Sequence, residues 1–362
     1  MRRGLISWSR EEVPATVLDE RVARLQRAMR AEGLDAALAY TSFAQPAAVS
    51  WLTHFVPYWS EAMLAVFATG APVLLASLTK RVHPWIREVS HVGAVLSAPN
   101  LGRAAGGLLQ ERLPGRARVG VVELDALPWS VAEPLAGSGA VLVDATALFG
   151  SVRQPADDAE IGLARRASAI AAGAFAAAPA GAQRASEVLA AMERTARLEG
   201  AEEVILRIAP DLGSSAVLRR IEGEAPLGSR YSVELSLAYK ATWIRVARSL
   251  SRNGEPDAWK HASRWFAEAV STLDGKGIAA GPGARAAPPG ALSSWTVEAC
   301  LDSRPLSICA SGAAPGDAGA RPAGANLPDG SLAVLSLRLD LDDGPWHASS
   351  PFVVGGPGPM LP

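Results

Sequence analysis

The amino-terminal part of the chain begins with a helical pattern followed by a strand pattern. Val22, Leu25 and Met29 recur at helical spacing and therefore lie on one face of a predicted helix. Gly33 stands where the C-terminal cap of that helix belongs. The apolar run 36–40 then predicts a short buried strand. This part of the chain is predicted to start with a helix packed against a sheet.

The same alternation continues to about residue 149. Two apolar runs surround Thr69, Gly70, Ala71 and Pro72, a pattern typical of a β-hairpin. Further helical patterns and short buried strands follow. Strands that alternate with helices of this length indicate an α/β sheet layer.

The pattern and the composition change after Phe149. Asp157, Asp158 and Glu160 stand at the beginning of a long alanine-rich helix, where carboxylates suit the positive end of the helix dipole. A second helix is predicted to begin with Ser186 as its N-cap. We therefore predict two domains, 1–152 and 153–362.

The remaining elements of the second domain follow from the same reasoning. Strands are predicted over 202–209, 229–241, 242–251, 331–341 and 350–356. Helices are predicted over 257–273, after a proline, and over 293–301.

Composition excludes several classes of protein. The 362 residues are 49% hydrophobic and carry a net charge of −1, so there is material for a large core and no basic field for nucleic acid. No stretch approaches about 20 uninterrupted apolar residues, so no membrane span is expected. Cys300 and Cys309 are the two cysteines, too few for a disulfide framework, and a reducing cytoplasm fits best.

Several local signatures resemble the creatinase, prolidase and aminopeptidase P family. They include VSWLTHF and EAMLAVFATGAPVLL in the first half, SVRQPADDAEIGLARRASAIA at the junction, and SRYSVELSLAYKATWIRVARS in the second half. LPDGSLAVLSLRL and PFVVGGPGPMLP near the end extend the resemblance to nearly the whole chain. The resemblance implies a creatinase-like α/β amino-terminal domain followed by an α+β domain of the pita-bread fold.

The resemblance departs from the family at its metal site. Active members hold two metal ions with two Asp, one His and two Glu. The matching positions here are Glu234, Arg245, Ala313, Ser336 and Ser349. Two divalent cations need several carboxylates, whereas arginine has no lone pair to give. We therefore expect no metal and no other cofactor.

The residues at the emptied site allow two interpretations. Glu234 and Arg245 lie on neighbouring strands of one predicted hairpin and could form an internal ion pair that replaces the cations. Alternatively, Arg245 with Arg219 or Arg220 could bind a carboxylate or phosphate, with Trp243 beside them in a ligand pocket.

Other residues near the predicted site have weaker functional signals. His347 lies close to the last lost ligand position, so it is a candidate catalytic residue together with Glu234. Arg248 matches an arginine common in the hairpin of the family and is interpreted as structural. Trp51 and Trp59 lie in a predicted loop region that, by the resemblance, approaches the active-site cleft.

Three classes of function remain open from the sequence. The first is a metal-free homologue that is not an active metallopeptidase and binds a small molecule or a peptide-like ligand. The second is a metal-independent enzyme, creatinase-like or otherwise, and the third is a non-catalytic subunit paired with an active paralogue. Whether the chain is an enzyme is left open. We expect a homodimer, or a heterodimer with a related chain, partly because the aromatic stretch 51–59 would be exposed in a lone chain.

Overall fold

The structure is a computed structural model that describes residues 7–42, 47–57, 60–113, 115–274, 278, 281–299, 307–313 and 327–360, with the backbone alone over 307–313. The described chain divides into two compact units, and the boundary lies between Arg153 and Gln154. Within the described residues no helix is long and apolar enough to cross a membrane.

The first unit is built on a mixed six-stranded sheet. Its strands are β1 Ala36–Thr41, β2 Ala62–Phe67, β3 Val73–Ala76, β4 Ala94–Ser97, β5 Arg118–Val122 and β6 Val141–Asp144. Their order across the sheet is β4-β3-β2-β1-β5-β6. The pairs β1–β2 and β2–β3 are antiparallel, and the pairs β3–β4, β1–β5 and β5–β6 are parallel.

Helices cover both faces of this sheet. They are α1 Ala15–Ala31, α2 Ala47–Thr53, α3 His83–Val89, α4 Leu101–Arg112, α5 Trp129–Ala136 and α6 Thr146–Val152. One apolar core joins the sheet to α1, α2, α3 and α6, and a second joins its other face to α4 and α5. Because it is covered on both faces, β1 is buried along its whole length, which explains its unbroken apolar sequence.

The structure confirms the predicted hairpin and corrects the prediction for the aromatic stretch. The two apolar runs form the antiparallel pair β2–β3. The segment around Trp51 was predicted as a loop region, but Trp51 lies in helix α2. Trp51, Leu52 and Phe55 are at most 5% exposed. The prediction that these side chains are exposed in a lone chain is therefore wrong, because the core of their own unit buries them.

The second unit has a seven-stranded antiparallel sheet. Its strands are β7 Glu203–Ala209, β8 Arg230–Tyr239, β9 Thr242–Ser251, β10 Ala291–Ala299, β11 Ser307–Ala313, β12 Leu332–Leu341 and β13 Gly344–Val353. The order across the sheet is β11-β10-β12-β13-β9-β8-β7. Its helices are α7 Asp158–Ala176, α8 Ala185–Leu198 and α9 Asp257–Ser271.

The N-termini of α7 and α8 test two predictions, one for the acidic residues at the start of α7 and one for the N-cap of α8. Asp158 and Glu160 lie in the first turn of α7, as the helix-dipole pattern predicts, and the Asp157 side chain is its N-cap and accepts a 2.9 Å hydrogen bond from the backbone N–H of Glu160. The prediction for Ser186 is wrong, because α8 begins at Ala185 after an N-cap residue, Arg184, that makes no side-chain cap.

One face of the second sheet packs against helices. Apolar side chains of α7 and α8 form a core with β7, β8 and β9. On α9, Phe266 contacts Trp346 of β13 at 6.2 Å between ring centroids. The opposite face of β8 and β9 carries their alternate side chains, which include the predicted site residues.

The structure overturns the helix predicted over 293–301. These residues belong largely to strand β10, which pairs with β11 on one side and β12 on the other. Trp295, Val297 and Ala299 are buried, whereas Ser294 and Thr296 are more exposed. This alternation with a period of two indicates a strand, and pairing with β11 and β12 stabilises the strand over the helix.

Candidate functional site

The strand register places the predicted site positions in one row across the second sheet. Glu234 of β8 pairs with Ala247 of β9, which pairs with Ser349 of β13, which pairs with Ser336 of β12. Directly opposed residues of antiparallel strands present their side chains on the same face. Arg245 lies two residues from Ala247 and therefore shares that face. Four of the positions singled out from the sequence thus surround one area of the sheet.

Charged side chains form a chain of ion pairs on this face. The guanidinium Nη1 of Arg245 donates a 2.6 Å hydrogen bond to Oε2 of Glu298, and its Nε lies 3.8 Å from Oε2 of Glu234. The other carboxylate oxygen of Glu234, Oε1, accepts from Nη1 of Arg207 at 3.3 Å. Nε of Arg245 also donates to the Ser236 hydroxyl at 3.4 Å. Two arginines and two glutamates therefore balance one another.

The inner three of these side chains are largely removed from water. The side chains of Arg245 and Glu234 are 11% exposed and that of Glu298 is 8% exposed, whereas Arg207 is 45% exposed. Burial raises the pKa of Glu298 because it disfavours the charged carboxylate, and the nearby Arg245 acts in the opposite direction. The pair Arg245–Glu298 is the innermost and shortest of the chain.

Sequence reasoning missed Glu298. The prediction paired Arg245 with Glu234 alone and counted one carboxylate at the site, whereas the structure makes Glu298 the shortest partner of Arg245. The cause is the incorrect helix over 293–301, which gave Glu298 no place on the sheet. The alternating pattern of Trp295, Thr296 and Val297 is the signal that could have placed Glu298 on a strand.

The predicted ligand-binding arginines lie next to β7. Arg219 forms an antiparallel bridge with Ile208 through backbone hydrogen bonds of 2.9 and 3.2 Å. The bridge is a single residue pair, and in the described structure no strand pairing extends from it to Arg220. Arg219 and Arg220 are both exposed. Trp243, by contrast, is 2% exposed, although it lies on the strand face of Arg245.

His347 lies in a separate hydrogen-bond network on the same sheet. Its Nδ1 is 3.0 Å from the Ser232 hydroxyl, which is 2.7 Å from the Ser249 hydroxyl. The backbone N–H of His347 donates to Ser249 Oγ at 2.8 Å, and the ring also has a hydrogen bond to the backbone of Ala216. Burial lowers the pKa of His347 to about 4, so the ring is neutral near pH 7. No hydrogen bond joins His347 to Glu234 in the described structure.

The remaining predicted positions fall in the first unit or outside the described side chains. Trp51 packs between the guanidinium of Arg21, 4.9 Å from its ring, and the ring of Phe149. Trp51 is therefore a core residue of its unit. Trp59 and Cys300 lie outside the described residues, and so do the side chains of Cys309 and Ala313, although β11 includes both positions.

Comparison with known families identifies the amino-terminal part of the chain. Residues 21–154 match the model of the creatinase/prolidase N-terminal domain. A search of curated proteins finds no match.

Solved structures resemble the whole chain. Dipeptidase PepE of Mycobacterium ulcerans superposes with a TM-score of 0.65 at 16% identity, and the match covers 96% of each chain. The prolidase of Pyrococcus horikoshii gives 0.64 at 14% identity, covering 95% of this chain and 98% of the prolidase. Aminopeptidase P of Escherichia coli gives 0.67 at 14% identity, covering 98% of this chain and 94% of that protein.

These comparisons confirm two predictions. The resemblance to the creatinase, prolidase and aminopeptidase P family is confirmed by the domain match together with the similar folds. The predicted fold class, a creatinase-like α/β domain followed by a pita-bread domain, is confirmed as well.

Proposed function

We propose that this chain binds a small peptide-like ligand and does not hydrolyse it with metal ions. The match to the creatinase/prolidase N-terminal domain and the similarity in fold to prolidases and aminopeptidase P support the choice of ligand class. One observation carries the proposal. The guanidinium of Arg245 occupies a position that the resemblance assigns to a metal ligand, and it lies between the carboxylates of Glu234 and Glu298.

The donor chemistry of this face supports a metal-free site. Two divalent cations need several carboxylate oxygens and usually an imidazole. Glu234 and Glu298 already face guanidinium groups, and Arg245 offers five N–H donors and no lone pair. Ser336 and Ser349, in the same row, are neutral hydroxyls. This set of side chains does not fit a dinuclear metal centre, because the Arg245 guanidinium already neutralises the carboxylates of Glu234 and Glu298 that would have to bind the metal ions.

The positive charge at the edge of the site suggests the ligand's chemistry. Within the chain of ion pairs the charges cancel, and Arg220 adds a further exposed guanidinium on the segment that bridges Ile208, the neighbour of Arg207 in β7. Guanidinium groups bind carboxylates through paired, charge-assisted hydrogen bonds. A ligand with a free carboxylate, such as a dipeptide, would therefore bind with that group toward Arg207 and Arg220.

Metal analysis and an activity assay test the first half of the proposal. Protein purified without chelator is analysed by inductively coupled plasma mass spectrometry and then assayed with Ala-Pro after addition of Mn²⁺, Co²⁺ or Zn²⁺. We expect well below one metal ion per chain and no cleavage with any of the three. Two tightly bound metal ions per chain, or metal-dependent release of proline, would contradict the proposal.

Calorimetry with matched ligands tests the second half. Ala-Pro and its C-terminal amide differ only in the carboxylate that Arg207 and Arg220 would bind. We expect Ala-Pro to bind more tightly than the amide, and Arg220→Gln to remove that difference. Arg264→Gln replaces an exposed arginine of α9 and is the control, with unchanged binding expected. Equal affinities for the acid and the amide would rule out this placement of the ligand.

The alternative of a metal-independent enzyme is less well supported. It would use Glu234 and His347 together, but the His347 ring already has partners within the fold, the Ser232 hydroxyl and the backbone of Ala216. The roles of Glu234 and His347 in catalysis stay predictions. A homodimer, a heterodimer with a related chain, and a cytoplasmic location also stay proposals.

A further inference from the structure

Strand β7 forms one edge of the seven-stranded sheet and pairs with β8 along its length. On its outer side, the described part of the chain adds a single partner, the bridge from Ile208 to Arg219, whose backbones exchange two hydrogen bonds. Backbone groups alternate in direction along an antiparallel strand, so those of Val204 and Leu206 point outward as those of Ile208 do. Over 203–207 the outer edge therefore has no strand beside it among the described residues.

Exposed apolar side chains lie in β7 and near its two ends. Among the described residues of the second unit, the large hydrophobic side chains that are exposed are Leu198, Ile205 and Val217. Leu198 ends helix α8 shortly before β7, and Val217 lies two residues before Arg219 of the bridge. Proteins often block an open edge with lysine or proline, and the segment 203–207, EVILR, contains neither. This edge is therefore suited to accept another strand.

The sequence of the edge is complementary to itself. Glu203 and Arg207 stand two residues before and two residues after Ile205. When two copies pair antiparallel about Ile205, the glutamate of each copy lies opposite the arginine of the other, and the two isoleucines meet on the axis. Opposite charges and apolar side chains directly across a strand pair stabilise it. We propose that the chain forms a symmetric dimer through β7, in which the sheets of two copies become continuous across a two-fold axis.

The directions of the backbone groups favour this register. Ile205 turns its backbone toward β8, so it forms a non-hydrogen-bonded pair with Ile205 of the second copy, in which side chains approach most closely. Val204 and Leu206 of each copy then exchange about four main-chain hydrogen bonds with Leu206 and Val204 of the other. Pairing centred one residue later sets Val204 opposite Ile208, whose outward groups already bond to Arg219. The open length of the edge thus matches the self-complementary segment.

The arginine of the edge can serve both chains. Arg207 donates to Glu234 through Nη1 at 3.3 Å, and its side chain stays 45% exposed. A guanidinium has five N–H donors, so Arg207 can bind Glu203 of the second copy and keep Glu234. Glu203, Ile205 and Arg207 share one face of the strand because they alternate along it. The two charge pairs and the isoleucine pair therefore form on the same side of the joined sheet.

Sedimentation velocity of the full chain, over protein concentrations of about 1–100 µM, tests the proposal. We expect a dimer whose fraction rises with concentration. Ile205→Asp sets two carboxylates opposite each other on the axis and should weaken dimerisation roughly tenfold or more. Val141→Asp makes the same kind of change at an exposed residue of β6, an edge strand of the first sheet, and should leave dimerisation unchanged.

A charge exchange tests the register. Glu203→Lys sets lysine opposite Arg207, and Arg207→Glu sets glutamate opposite Glu203, so each variant alone should remain monomeric. An equimolar mixture restores both opposite-charge pairs and should dimerise. Circular dichroism checks the folding of each variant, because Arg207→Glu adds a carboxylate near Glu234. Where that variant does not fold, hydrogen exchange of the wild type replaces it, with the amides of Val204 and Leu206 more protected at higher protein concentration.

Several outcomes would overturn the proposal. It fails if the chain stays monomeric over the whole concentration range, or if Ile205→Asp associates as the wild type does. It also fails if the folded charge variants do not dimerise when mixed, or if protection of Val204 and Leu206 is independent of concentration. Ile205 is not part of the ligand site proposed above, so the two proposals can fail separately.

Discussion

Replacement of Arg245 by methionine is the most direct test of the buried ion pairs. Arg245→Met keeps much of the side-chain length and removes the charge, so Glu298 loses its 2.6 Å partner. Both side chains are at most 11% exposed, so water offsets little of the loss. Breaking a buried pair costs about 3–5 kcal/mol because the remaining charge stays buried. In a unit of roughly 200 residues this lowers the Tm by about 10 °C.

A double-mutant cycle separates the ion pair from a loss of packing. Arg245→Met combined with Glu298→Met replaces both charges by apolar side chains and leaves Glu234 with Arg207. Since no uncompensated charge remains, we expect the double variant to recover most of the stability, with a coupling energy of about 2–3 kcal/mol. Arg338→Met is the surface control. Its pair with Asp340 is short, at 2.9 Å, but Arg338 is 36% and Asp340 45% exposed, so about 0–1 kcal/mol should be lost.

The pH dependence gives a second signature of the same pair. The folded pKa of Glu298 is already raised by burial, and loss of Arg245 raises it further because the guanidinium opposed that shift. A group with a raised folded pKa contributes stability that is present below its unfolded pKa and lost as the pH rises through the folded pKa. Arg245→Met should therefore be more destabilised, relative to wild type, at pH 8 than at pH 5. A loss at pH 8 no larger than that of Arg338→Met would refute the buried network.

Two further predictions concern other parts of the second unit. Burial lowers the folded pKa of His347 to about 4, so the unfolded chain takes up the proton first as the pH falls below 6.5. Stability should fall by up to about 3 kcal/mol between pH 6.5 and 4, and denaturant melts of His347→Gln should lack this fall. Ala241 has φ of 64° in the β8–β9 turn, so Ala241→Gly should raise stability by about 1 kcal/mol, whereas Ala238→Gly in the strand should lower it.

The hairpin that carries much of the site was predictable from local sequence. Alternating apolar and polar residues define both strands, and the two residues of the turn, Lys240 and Ala241, both adopt positive φ. The carboxylate of the buried Glu202 accepts the backbone N–H groups of both turn residues, at 2.8 Å from Lys240. This carboxylate offsets the strain of a left-handed turn without glycine, which the turn sequence alone does not indicate.

The contacts that could not be predicted are those between residues distant in the chain. Glu298 and Arg245 are 53 residues apart and meet through the order of the strands in the sheet, which no local pattern encodes. The helix predicted over 293–301 fails for the same reason, because the choice between helix and strand depends on β11 and β12 on either side. Likewise, α2 is a helix because the core of the first unit buries Trp51 and Leu52.

The correction at Glu298 changes the interpretation of Arg245. With Glu234 as its one partner, Arg245 could have turned toward a ligand, because a 3.8 Å contact holds a guanidinium loosely. The 2.6 Å hydrogen bond to a second buried carboxylate fixes it within the sheet, and moving it to a ligand would leave Glu298 as an uncompensated charge. We therefore propose the ligand-binding role for the exposed arginines at the edge of the sheet, Arg207 and Arg220, and not for Arg245. Arg207 and Arg220 can exchange water for a carboxylate at much lower cost in desolvation than Arg245 can.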